Sequence, residues 1–268
     1  MTLCNGNKKI SKEIFGFINN VSDVKEESIT DYLVWKWREL DKHFDYINIE
    51  TFTRHYENRV TGADFELELW VVGDKQAVPM IIQAKKFIKD YDSYFSKLNY
   101  RGYNGRQIDI LLRYASSKSL LPFYLFYSIP DNNTNIKCRC ELIDPVKDDV
   151  SLYLASAYEI KNIADTYYRR KLSKNKVLEV TNAFSCIFCC PPGLDWLEYL
   201  KNNFSSVIEN HMDSIKSNNN IPYYVQMLLN QGQDLREFNP EKISAIIREH
   251  NLYRVRNLAV LNARKTKI

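Results

Sequence analysis

Between Phe65 and Val72 the chain alternates, with Phe65, Leu67 and Leu69 set against Glu66, Glu68 and Trp70. A period of two predicts a half-buried strand, its apolar residues on one face and its carboxylates on the other. A second alternating run follows a turn at Gly73-Asp74, with Ile81, Gln83 and Lys85 against Met80, Ile82 and Ala84. The two runs read as a hairpin. Apolar stripes at helical spacing occur at 28–37, 107–115, 153–164 and 194–200, and stripes of that kind are far more often core than ligand box. Asn239-Pro240 ahead of Glu241–Arg248 is a helix start signal. Strands are predicted near 46–53, 60–72, 78–85 and 121–127.

Pairing of the two runs brings Asp64, Gln83 and Lys85 to one end of the sheet. Asp64 supplies a hard carboxylate oxygen and Gln83 an amide oxygen, the donor types that magnesium takes. Lys85 can orient or help deprotonate a water and offset phosphate charge. These are parts for phosphodiester hydrolysis. The same residues also suit a solvated strand face that does no chemistry.

Gly62-Ala63-Asp64 followed by Ile82-Gln83-Ala84-Lys85 resembles the core of the PD-(D/E)xK, or restriction-endonuclease-like, nuclease superfamily. It is most similar to the Mrr-like variant, in which Gln-x-Lys replaces the acidic pattern. The order of helix, three strands, helix and strand over about residues 24 to 130 agrees with that family. The resemblance implies an α/β fold with a central mixed sheet flanked by helices. Residues 1–145 are then expected to form a nuclease core, and the helical apolar spacing of 146–268 predicts a mainly helical C-terminal extension packed on it. The resemblance further implies a metal-dependent DNA endonuclease working with Mg2+, or Mn2+ in its place, in bacterial anti-phage defence. The alternatives are an RNA nuclease and an inactive nucleic-acid- or protein-binding module of the same fold.

Asp64, Gln83, Lys85 and Glu27 are then the catalytic candidates, and Asp64, Gln83, Glu27 and Glu66 the metal candidates. Gln83 leaves the site short of one negative charge, which Glu27, its neighbour Glu26 or Glu66 would make up. Acids at a helix start are also favoured by the helix dipole whatever the chemistry. A homodimer is expected, because cutting both strands needs two sites, and a defence-system partner protein is a further expectation.

Composition alters this picture little. The chain has 268 residues, 45% hydrophobic and 13% aromatic, with a formal charge of +4, so any grip on nucleic acid must rest on local charge. Lys86, Lys89, Arg101, Arg106 and Gln107 follow the proposed site, with Tyr91, Tyr94, Tyr100 and Tyr103 among them. They are the candidates for holding phosphates and stacking on bases. A second basic stretch, Lys242 to Lys267, includes Arg254 and Arg256. Of the six cysteines, Cys138-x-Cys140 and Cys186-x-x-Cys189-Cys190 suggest zinc. A buried strand around 184–190, with cysteine as a small hydrophobe, is the better reading. The four histidines follow no ligand spacing. No run has the length and apolarity of a membrane span and no secretory signal opens the chain, so a cytoplasmic protein with reduced thiols is expected.

Overall fold

A computed structural model describes residues 3–21, 23–44, 47–51, 65–87, 95–102, 105–132, 134, 144–167, 171–188, 196–230 and 240–262. In chain order the elements are α1 (Leu3–Asn20), α2 (Glu26–Phe44), β1 (Ile47–Thr51), β2 (Phe65–Val72), β3 (Gln76–Phe87), α3 (Phe95–Leu98), β4 (Arg101–Gly102), β5 (Gly105–Arg106), α4 (Gln107–Lys118), β6 (Leu121–Ser128), β7 (Leu152–Ser156), α5 (Ala157–Thr166), α6 (Lys174–Leu178), β8 (Asn182–Ala183), α7 (Trp196–Asn203), α8 (Ser205–His211), β9 (Lys216–Ser217), α9 (Tyr223–Asn230), α10 (Pro240–Glu249) and β10 (Val255–Asn262). The protein is α/β, with a mixed central sheet flanked by helices.

The sheet runs β1-β10-β2-β3-β6-β7-β8, with β9 pairing to β3. Hairpin pairing joins β2 to β3, with Glu68 opposite Ile81 and Val71 opposite Val78, and Gly73 N–H closes the turn onto Gln76 O at 2.9 Å. β6 returns parallel to β3. A parallel return needs a crossover connection, and α4 lies on it. Its stop is local: Ser119 takes the left-handed conformation (φ 53°) and its N–H caps Ala115 O and Ser116 O.

The C-terminal segment is part of this sheet. β10 lies between β1 and β2, antiparallel to the first and parallel to the second, and β7, β8 and β9 come from residues 146–268 as well. A division at 145/146 therefore cuts through one sheet. Every residue of β2 is buried, which corrects the half-buried strand expected from its alternation. The reason is its central position: both edges are paired and both faces are covered. Glu68, 1% exposed, is accommodated because its Oε1 accepts from Trp70 Nε1 and from Tyr224 OH, each at 2.7 Å.

Two other segments differ from expectation. The helix predicted over 153–164 is a strand to Ser156 and a helix from Ala157; the Ser156 side chain accepts from the N–H groups of Tyr158 and Glu159 and so marks the boundary. Phe184–Phe188 forms a buried 3-10 turn, not a strand. Its Phe184 and Phe188 rings pack on Trp37 of α2. Trp37 in turn donates to Asn7 Oδ1 of α1 at 2.9 Å. Cys186 is buried as a small hydrophobe would be, whereas Cys4 is disulfide-bonded, against the expectation of reduced thiols throughout. Cys138, Cys140, Cys189 and Cys190 lie outside the described residues. Among the described residues no helix is long and apolar enough to cross a membrane.

Candidate functional site

The first turn of α2 carries Glu26 and Glu27, and it abuts the end of β3. Glu26 Oε1 accepts the backbone N–H of Lys86 at 2.8 Å, and its Oε2 lies 4.0 Å from Lys85 Nζ. The Lys86 side chain turns back onto Val24 O at 2.5 Å, and Lys97 Nζ reaches Lys86 O at 3.4 Å. One helix start is thus tied to one strand end through both backbone and side chains. Farther along α2, Thr30 Oγ1 and Tyr127 OH of β6 share a hydrogen bond of 2.7 Å.

Lys85 is 12% exposed. Burial pulls its ammonium below the usual lysine range, with Lys97 adding to the shift, while Glu26, Glu66 and Glu27 oppose it. Glu66 shows the converse. Burial pushes its carboxyl from 4.5 up to about 7, the charges of Glu27, Glu26 and Asp31 push the same way, and Arg256 opposes them. The β2–β3 register, carried one step beyond Leu67↔Ile82, sets Glu66 against Gln83. Gln83 is buried and its Oε1 accepts from Gln107 Nε2 at 3.2 Å. Three elements therefore bring together a carboxyl and a lysine whose pKa values are shifted towards each other, with an amide pair beside them. Of the two, Glu66, with its carboxyl pushed up to about 7, can hold or release a proton near neutral pH.

Of the residues singled out in the sequence, Gln83, Lys85, Glu66 and Gln107 are gathered here. Asp64 and Lys89 lie outside the described residues. Glu26, not Glu27, makes the direct contact with Lys85; Glu27 acts on both Lys85 and Glu66 through charge. Arg101 is exposed on β4. Arg106 is engaged by Asp165 Oδ1 at 2.6 Å and Asp109 Oδ2 at 3.4 Å, so its charge is largely offset within the protein. Lys86 is half-buried and directed inward. In the sequence Arg256 is only one cation of a basic C-terminal stretch. The structure places it against Glu66, 3.6 Å from Nη1 to Oε2. Its local sequence gave no signal of this, since the contact depends on where β10 inserts.

Among the described residues no group of three His, Cys, Asp or Glu side chains is set to hold a metal ion. The Glu66 Oε2 atom is buried and makes no hydrogen bond; the cation it faces among the described residues is Arg256, 3.6 Å away.

The raised pKa of Glu66 has a measurable consequence. Between pH 4.5 and about 7 the folded chain binds this proton more tightly than the unfolded chain. Stability from this group is fully present below that window and is lost as pH rises through it, on the order of 3 kcal/mol. Urea denaturation across this range should show the decline, and Glu66→Gln should flatten it. Parallel slopes in the two proteins would remove Glu66 as the source.

No solved structure matches the chain. One curated protein, a lectin from Phaseolus lunatus, is 33% identical over 78 residues, which is 28% of this chain and 30% of the lectin. The match thus spans less than a third of that protein. A family model described as a family of unknown function matches residues 3–266, nearly the whole chain. The chain belongs to that family, DUF6615.

Proposed function

We propose that the chain is a metal-dependent nuclease of restriction-endonuclease-like type that hydrolyses phosphodiester bonds in DNA. The observation carrying this reading is the buried Lys85 held against Glu26 and close to Glu66, at the strand ends next to which Asp64 falls in the sequence. A buried lysine between acids, beside the amide pair Gln83–Gln107, is a set of groups that can work on a charged, water-attacked centre.

Glu66 Oε2, which makes no hydrogen bond but faces Arg256 Nη1 at 3.6 Å, is the described oxygen that would turn to a metal. With Glu66 and Gln83 as the described donors, Asp64 would have to complete the set. A bound divalent ion would supply Lewis acidity at the phosphate and a more acidic water. The chain's own groups do the rest. Lys85, its ammonium weakened by burial, can donate a hydrogen bond to a phosphate oxygen or, when neutral, take a proton from water. Glu26 orients Lys85 and offsets its charge. Gln107 fixes the amide of Gln83.

A second reading, an inactive binding module, is favoured by one observation: the described acids do not by themselves form a metal-holding group. The two are separated by incubating wild type and Asp64→Ala with plasmid DNA and with RNA, in magnesium and in chelator. Magnesium-dependent DNA cleavage that Asp64→Ala abolishes is the expected result. Preferential RNA cleavage would change the substrate. Binding of either polymer without cleavage by wild type, unaffected by the substitution, would select the inactive module.

A further inference from the structure

Arg256 is not placed as a surface cation would be. Its side chain is 7% exposed. Nη2 donates to Asp31 Oδ1 and Oδ2 at 2.9 and 2.8 Å, while Nη1 lies 3.6 Å from Glu66 Oε2. A buried guanidinium persists only when paired, and removing one partner leaves an uncompensated charge. Here the partners come from two elements. Asp31 lies one turn after Glu27 on α2, and Glu66 lies on β2. The pairs Val255↔Phe65 and Asn257↔Leu67 set Arg256 alongside Glu66 in the parallel ladder. Asn257 Nδ2 adds a bond to the Glu66 carbonyl at 3.0 Å, and Phe65 N–H donates to Arg254 O at 2.7 Å. β10 therefore grips β2 on both sides of Glu66, by backbone and by side chain.

We propose that Arg256 is a positioning residue of the candidate site: held by Asp31, it fixes the Glu66 carboxylate near Lys85 and makes β10 part of the site. The proposal rests on the hydrolase reading for its catalytic consequence, and its geometric content can be tested apart from it. The rival role for an arginine in a nuclease is contact with a substrate phosphate. That role calls for an accessible guanidinium with free donors, whereas both terminal nitrogens of Arg256 face carboxylates.

Two measurements on the full chain decide the matter. The first is steady-state cleavage of a labelled DNA duplex in magnesium. Groups that orient a site residue typically contribute 10- to 100-fold, so Arg256→Gln should lower kcat by about 30-fold and leave KM within about twofold. Arg256→Lys, which keeps the charge, should recover most of the loss. A rise in KM with kcat unchanged would make Arg256 a substrate contact and overturn the proposal. The second is a double-mutant cycle in melting temperature at pH 8.5, using Arg256→Gln, Glu66→Gln and both together. Strong non-additivity is expected, and strict additivity would overturn the proposal, because the two side chains would then not hold each other. If Arg256→Gln does not fold, Asp31→Asn takes its place in both measurements. If wild type cleaves nothing, the hydrolase reading fails on its own, and the melting cycle still decides whether Arg256 fixes Glu66.

Discussion

Lys85→Met should lower DNA cleavage by about 10³-fold while leaving the protein folded. Methionine keeps most of the apolar stem that fills this site and removes the ammonium, so packing is nearly preserved. What is lost is the group that approaches Glu26 at 4.0 Å and that, in the proposed chemistry, meets phosphate or water. The charge of Lys85 is held against burial, which pulls its pKa down, so its removal also relieves a desolvation cost. The melting temperature should therefore stay level or rise as activity disappears. This opposite movement separates a functional lysine from a structural one. Cleavage within tenfold of wild type would show that Lys85 does not serve the reaction. A large fall in melting temperature would show that its ion pair belongs to the fold.

Truncation should have the largest effect on stability. A fragment of residues 1–145, the unit that the sequence suggested as a core, is expected not to fold. It lacks β7, β8, β9 and β10. Without β10, β2 loses its parallel partner and β1 loses the neighbour that joins it to the sheet. Val255, Leu258, Val260 and Leu261 are all buried. At about 2 kcal/mol for each such side chain, their loss alone is on the order of the whole stability of a typical domain. Circular dichroism melts and amide proton dispersion would check this. A cooperative melt and a dispersed spectrum from the fragment would refute it, and would restore the sequence-based boundary.

Where the sequence carries local signals, the elements follow them. α2, the β2–β3 hairpin, α4, β6 and α10 lie where periodicity and turn residues put them. Gln83, offered by the strand pattern, and Gln107, offered by the resemblance, hydrogen-bond at 3.2 Å. Pairings set by distant chain were not legible. Glu66 and Glu68 gave β2 a polar alternation that pointed to a wet face. They are buried instead, because Tyr224 and Arg256, far along the chain, supply their partners. The apolar part of β10 is the short run Leu258–Leu261, and such a run carries no mark of which strand it will join. The choice between Glu26 and Glu27 was likewise beyond pattern. Adjacent residues on a helix differ by about 100° in direction, and only the docking of α2 on β3 shows which one meets Lys85. In α1, Ile10, Ile14 and Ile18 line the buried side at every fourth position.

The late strand also bears on how the protein comes into being. β1 and β2 follow each other in the chain, yet the slot between them is filled by residues 255–262. Throughout synthesis that slot stays open, with the row of amide and carbonyl groups on β2 facing no partner. At roughly 5–20 residues per second a ribosome needs many seconds to pass from β2 to β10. Folding must then close a loop spanning most of the molecule, the kind of non-local contact that slows two-state folding. The nascent chain is for that interval a substrate for chaperones and for edge-to-edge association. A premature stop just before β10 would leave that edge open for good.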